Sequence, residues 1–286
     1  MPELSLAKRS RPNPGQPSSG DAGLIDDRYR VERVLGRGGM GEVLAVVEEA
    51  TGKRFALKRL LPGAKPRHAM LLSREFHTLV SLKHPHVVQA FDYGTDGGVP
   101  YYTMELLQGT DVEALAPRPW AEVVPILRDV ASALALIHAR HLVHRDVGAR
   151  NVWRTHEGVV KLIDFGALTS FGASHDIAGT APYVAPEALR ERVLDQRTDL
   201  YSLGALAYVL LTGTHAYPAR SLSELEQHWG ESMVGPNARL AALGRADLGM
   251  VPERLEQLIE ALLSLAPGSR PSSAAEVLDA LELVLP

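Results

Sequence analysis

The sequence predicts an α+β chain of two lobes, a small β-rich one followed by a larger helical one. From Tyr29 to Leu107 the apolar residues fall mostly in short strand-like runs broken by glycine turns, with a single helical stretch. From Trp120 onward they recur at helical spacing. With 286 residues, 45% of them hydrophobic, the chain is long enough for one large domain or two packed lobes.

The elements follow in order. Residues 1 to about 22 are rich in Pro, Gly and Ser and have no periodicity, so residues 1–28 are expected to form a disordered arm, with order from Tyr29. Tyr29 and Val31 alternate with Arg30 and Glu32 and lead into a glycine cluster. Val43 to Val47 and Phe55 to Leu60 flank Glu48-Glu49-Ala50-Thr51-Gly52, which reads as a β-hairpin. Met70 to Leu82 has Leu72, Phe76, Leu79 and Leu82 on one helical side, and His84-Pro85 ends it. Val87 to Tyr93 and Tyr101 to Leu107 are two further strands around Asp96-Gly97-Gly98. In the second part, Val123, Leu127, Val130, Leu134 and Ile137 mark one buried helix face. Asp199 to Leu211 is apolar on nearly every side, as a helix through the middle of a lobe is, and Val251 to Leu263 and Ser273 to Leu283 are amphipathic helices.

Composition removes several classes of function. A net charge of −4 argues against a broad nucleic-acid surface. The absence of cysteine excludes disulfides and thiolate metal sites and fits a reducing, cytoplasmic setting. No membrane segment is expected: the longest apolar stretch, about Leu200 to Leu211, is short of the ~18 residues a span needs. Lys8, Arg9 and Arg11 are followed by no apolar run, so no secretory signal is expected.

Gly36-Arg37-Gly38-Gly39-Met40-Gly41-Glu42-Val43 contains G-x-G-x-x-G-x-V. Glycines let a backbone approach a polyphosphate with its amides turned to the oxygens. A tight hairpin turn uses the same residues, so this signal alone is weak. A dinucleotide site needs a helix directly after the glycines, and here a strand follows. Lys58 lies inside the apolar strand Phe55-Ala56-Leu57-Lys58, a costly place unless an anion meets it. Phosphate oxygens or Glu75 on the next helix would serve, although a lone strand lysine more commonly faces water. His138, His141 and His144 are evenly spaced, but with no suitably spaced carboxylate they give zinc weak support.

Further along stand His144-Arg145-Asp146-Val147-Gly148-Ala149-Arg150-Asn151, then Asp164-Phe165-Gly166, then Ala185-Pro186-Glu187. With the glycine loop and Lys58, these resemble the signature set of the eukaryotic-like protein kinase family, over about Tyr29 to Leu283. The entry Arg30-Val31-Glu32-Arg33-Val34-Leu35-Gly36 is similar to bacterial serine/threonine kinases.

The resemblance implies a bilobal kinase fold, with an N-lobe over about 29–107 and a C-lobe over about 108–286. It implies transfer of the γ-phosphate of ATP to Ser/Thr hydroxyls of proteins, autophosphorylation included, with Mg²⁺ or Mn²⁺. Asp146 then accepts or orients the proton of the attacking hydroxyl, and Asn151 and Asp164 hold the metal through oxygen. Leu35, Gly36, Arg37, Gly38, Gly39, Met40, Gly41, Glu42 and Val43 cover the nucleotide. Lys58 grips its phosphates, with Glu75 fixing the ammonium. Met104 is the gatekeeper, Glu105 to Leu107 the hinge for adenine, and Asp111 reaches the ribose. Glu187 pairs with Arg270, and Asp199 anchors the catalytic loop.

The sequence departs from the family at Gly148, where Ser/Thr kinases carry a lysine that neutralises the transferring phosphate. The resemblance of R-D-V-G-A-R-N to tyrosine kinases implies that Arg150 replaces it. Gly179-Thr180-Ala181-Pro182-Tyr183, in contrast, resembles the Ser/Thr substrate loop. Ser/Thr specificity is therefore favoured over tyrosine or dual specificity. Loss of activity, as in a pseudokinase scaffold, is disfavoured because Lys58, Asp146, Asn151 and Asp164 are all present. Thr169, Ser170 and Ser174 are candidate autophosphorylation sites near Arg145.

Overall fold

The β-rich first third forms one antiparallel sheet. Its strands are β1 (Tyr29–Arg37), β2 (Gly41–Glu48), β3 (Arg54–Leu60), β4 (Ala90–Asp96) and β5 (Val99–Glu105), in the order β1-β2-β3-β5-β4. The computed structural model describes residues 24–38, 41–173, 177–190 and 193–284. They divide into two units. The first holds the described residues of Met1–Lys83 with Val88–Leu107, and the second holds His84–Val87 with those of Gln108–Pro286.

In the first unit, alternation sends Leu44, Val46, Leu57 and Tyr101 to one face of the sheet, where they pack with Ile25 and Tyr29. This corrects the expected start of order. Ile25 is 3% exposed, its N–H donates to the Tyr29 carbonyl, and Asp26 accepts from the Tyr101 hydroxyl. One apolar residue in a polar stretch has no periodicity, so its burial is set by the sheet it meets. The remainder of the expected arm, residues 1–23, lies outside the described residues.

Helix α1 (Pro66–Ser81) begins a turn before the expected Met70. Pro66 favours that start, since a first-turn residue needs no N–H and proline presets its φ. Leu72, Glu75 and Leu79 are its buried face. Strands β4 and β5 are offset from the expected runs. They pair from Ala90↔Met104 to Asp96↔Val99 around Gly97 and Gly98, both at positive φ, which is the chemistry of a two-residue hairpin. Val87 is apolar for another reason: it bridges to Leu162 in the second unit.

The second unit carries small strands on a helical body. In chain order these are β6 (Gly109–Asp111), α2 (Trp120–His138), β7 (Leu142–Val143), β8 (Val152–Thr155), β9 (Val160–Leu162), β10 (Thr169–Ser170) and β11 (Gly172–Ala173). There follow α3 (Pro186–Leu189), β12 (Val193–Leu194), α4 (Gln196–Thr212), α5 (Leu222–His228), α6 (Pro236–Ala242), α7 (Glu253–Leu262) and α8 (Ala274–Glu282). The strands pair as β6-β8-β9, β7-β10 and β11-β12. Helix α4 is buried on all sides from Thr198 to Thr212, as its unbroken apolar character requires. The Asp195 carboxylate caps its start by accepting from the Arg197 N–H, and Gly213 ends it at φ 72°. Gly204 brings α7 close, since a Cβ there would lie 2.7 Å from Leu262 Cβ. Among the described residues, no helix is long and apolar enough to cross a membrane.

Candidate active site

In the first unit the sheet register sets the lysine. Lys58 of β3 stands opposite Val43 on one side and Tyr102 on the other. Its Nζ donates to both Glu75 oxygens, at 2.7 and 3.0 Å. The Glu75 side chain is only 4% exposed, and its Oε1 also accepts from the Tyr102 hydroxyl at 3.0 Å. A buried carboxylate with a cation and a hydroxyl on it is satisfied without water. Tyr102 was not among the expected residues, because only strand register reveals that it faces Glu75.

The expected nucleotide cover is distributed as follows. Gly39 and Met40 lie outside the described residues. Leu35 falls at the irregularity between Val34 and Gly36 where β1 shifts register against β2. A Cβ on Gly36 would meet nothing within 4 Å, so that glycine leaves open space above the strand. Gly41 has a structural reason as well: a Cβ there would collide with the Arg59 carbonyl on β3. Glu42 is buried and accepts from Arg37 and Arg59, each at 2.9 Å. Glu105 is tied to Gln89, donating its N–H at 2.9 Å and accepting on Oε1 at 2.8 Å. Leu107 is the last residue of the unit.

In the second unit one buried carboxylate organises the loop that carries Asp146. Asp199, at the start of α4, accepts from His138 Nε2 and from the N–H groups of His144 and Arg145, all at 2.8 Å. Burial pushes its carboxyl up, but the hydrogen bond and charge of His138 and the nearby His144 hold it below the ordinary value. Three donors thus fix the backbone just ahead of Asp146. The His144 ring packs edge-on against Phe165 at 4.7 Å, and Arg145 Nε donates to the Ala167 carbonyl at 2.7 Å. The three histidines singled out by spacing therefore part: His138 serves Asp199, His144 packs on Phe165, and His141 lies against Phe171.

Asp146 itself is held on both oxygens. Oδ1 accepts from the Thr180 N–H at 2.9 Å and the Thr180 hydroxyl at 3.0 Å, and Oδ2 accepts from Asn151 Nδ2 at 2.7 Å. Gly179 makes the Thr180 approach possible. Its φ is 110°, and a Cβ there would stand 2.5 Å from the Arg145 carbonyl oxygen. Asn151 spends its amide nitrogen on Asp146, and its backbone carbonyl accepts from the Ile163 N–H at 2.8 Å, which brings the chain before Asp164 alongside. Asn151 Oδ1 accepts no hydrogen bond among the described residues, and Asp164, in the left-handed region at φ 62°, supplies a carboxylate. One amide oxygen and one carboxylate fit a hard divalent cation that keeps its other positions for water and phosphate.

Asp111 accepts from the Ala114 N–H at 3.0 Å, so the expected ribose residue also caps a short turn. Arg150 is exposed and its Nε donates to Glu113 at 2.7 Å, a partner the sequence did not suggest. Gly148 is buried against Tyr183, where a Cβ would lie 3.1 Å from the ring. Thr169 pairs with Val143 and Ser170 with Leu142, and Ser174 lies outside the described residues. Glu187 and Arg270 meet in a buried two-pronged ion pair at 2.7 and 2.9 Å, with the Arg270 guanidinium over the Tyr201 ring.

The sequence matches the protein kinase domain over residues 29–281. It is 31% identical to the serine/threonine-protein kinase pkn2 of Myxococcus xanthus, over 91% of this chain and 33% of that protein. It is equally similar to the serine/threonine-protein kinase PknL of Mycobacterium tuberculosis, over 93% of this chain and 69% of that protein. With PknB of Mycolicibacterium smegmatis the 31% identity covers 88% of this chain and 42% of that protein. The chain thus spans a third of the length of pkn2 and less than half of PknB. The crystal structure of the Mycobacterium tuberculosis PknI kinase domain matches with a TM-score of 0.69 at 29% identity, covering 94% of this chain and all of that one.

Proposed function

This chain belongs to the protein kinase family, as a catalytic domain of its serine/threonine type, and from that premise we propose that it transfers the γ-phosphoryl group of ATP to serine and threonine hydroxyls of proteins, its own included, in the cytoplasm. The observation that carries the reading is the double grip on Asp146. Thr180 holds one carboxylate oxygen and Asn151 the other, so the carboxylate is oriented before any substrate arrives.

The roles follow from what each group offers. The substrate hydroxyl oxygen attacks the γ-phosphorus, the bond to the ADP oxygen breaks, and the hydroxyl proton passes to Asp146. Lys58 holds the α- and β-phosphates, and Glu75 with Tyr102 keeps its ammonium in one place. Gly36 to Val43 cover the phosphates, Glu105 and Leu107 bind adenine through their backbone, and Asp111 takes the ribose. Mg²⁺, or Mn²⁺ in its place, held by Asn151 and Asp164, supplies positive charge to the phosphate oxygens when bound. Arg150 supplies the cation that Gly148 lacks.

The test is transfer from γ-labelled ATP and Mg²⁺ to a generic basic protein and to the chain itself. Wild type is expected to incorporate label, and Asp146→Asn to lose roughly 10²–10⁴-fold in rate, as removal of a positioned base does. Equal incorporation by both would overturn the assignment.

A further inference from the structure

We propose that Glu113 is a positioning residue for phosphoryl transfer, holding Arg150 by its Nε so that the outer edge of the guanidinium is left for the transferring phosphate. The inference rests on the reading of Arg150 given above and adds the residue through which it works. Glu113 sits in the turn after Asp111, and its Oε2 accepts from Arg150 Nε at 2.7 Å. This is the inner nitrogen of the side chain. Nη1 and Nη2 have no hydrogen-bond partner among the described residues, and the Arg150 side chain is 61% exposed. A guanidinium held this way keeps the paired donors that suit a phosphate.

The surroundings explain why the charge comes from position 150. A Cβ on Gly148 would lie 3.1 and 3.2 Å from two carbons of the Tyr183 ring. That ring is 5% exposed, and His215 packs edge-on against it at 5.4 Å, so it has little room to withdraw. A lysine stem at 148 would crowd it. Arg150 starts two residues later, on the turn Ala149–Asn151, and Asn151 in the same turn grips Asp146. The Tyr183 hydroxyl lies within electrostatic reach of Glu113, Arg150 and Asp146 together, so these three charged groups gather around one ring. Exposed ion pairs contribute little to folding, so stability alone gives the pair small purpose.

The experiment is steady-state kinetics on a serine peptide, with thermal unfolding of each variant. Arg150→Ala is expected to lower kcat by roughly 10²-fold while the KM for ATP changes little. Glu113→Ala should lower kcat by about tenfold, the cost of a guanidinium no longer held in place. Glu113→Gln keeps an oxygen for Nε and should restore most of that loss. The double variant Glu113→Ala/Arg150→Ala should be no slower than Arg150→Ala alone, because Glu113 acts through Arg150. Loss in Arg150→Ala with full activity in Glu113→Ala would overturn the positioning role and leave the Arg150 reading standing. Full activity in Arg150→Ala would overturn both. An additive double variant, or a Glu113→Gln as slow as Glu113→Ala, would also overturn the proposal.

Discussion

Asp199 retains its charge in a fully buried position because three N–H groups converge on it, and in doing so it fixes the backbone that carries Asp146. Its carboxyl is held below the ordinary value, so its contribution persists above that value and is lost only as strong acid protonates the folded form. Two histidines, His84 and His215, act in the opposite pH range. Burial, then the charge of His86, lowers the His84 imidazole, and burial lowers that of His215. The unfolded chain therefore binds protons near 6.5 that these folded histidines refuse, and stability falls as pH drops below that value. Urea unfolding at pH 7.5 and 5.5 should show this loss, and His215→Gln should flatten it. An unchanged slope would remove His215 from the account. The Lys58–Glu75 and Thr180–Asp146 contacts were legible in the sequence, because the family resemblance names both partners of each. The contacts of Tyr102 with Glu75 and of Glu113 with Arg150 were not, since one depends on strand register and the other on a pairing 37 residues apart.

Elements were legible where one face or the whole surface is buried. The apolar span of α4 and the spaced residues of α2 follow directly from what they pack against. Their ends were less so. Pro66 opens α1 in a stretch without apolar rhythm, and Gly97-Gly98 sets the β4–β5 register away from the apolar runs. Ends depend on caps and turns, which cost little and leave little trace in hydrophobicity. Gly213 is such an end. It accepts the left-handed φ of 72°, its N–H donates to the Val209 carbonyl at 2.8 Å, and a Cβ there would lie 3.1 Å from Pro117. Gly213→Ala is expected to destabilise the fold by about 1 kcal/mol, read as a lower denaturant midpoint with unchanged slope. A variant as stable as wild type would show that the α4 terminus yields without strain.

On the scale of the whole chain, the expected order of a β-rich part and a helical part holds, and motifs distant in sequence meet within the second unit. Arg270 reaches Glu187 across 83 residues, with the guanidinium fully buried and two further carbonyls, Arg197 and Ser264, accepting from it. Arg270→Ala leaves Glu187 charged and buried, and should cost about 3–5 kcal/mol in chemical denaturation. A loss under about 1 kcal/mol would place the pair among solvent-relieved contacts. The pairing was legible from the family resemblance; the carbonyl partners depend on backbone positions that only the folded chain sets. The most direct test of the central claim is phosphoamino-acid analysis of the product formed from γ-labelled ATP by wild type and Asp146→Asn. The account predicts phosphoserine or phosphothreonine in the wild-type product and neither in the variant. Phosphotyrosine alone, or no transfer by wild type, would contradict it.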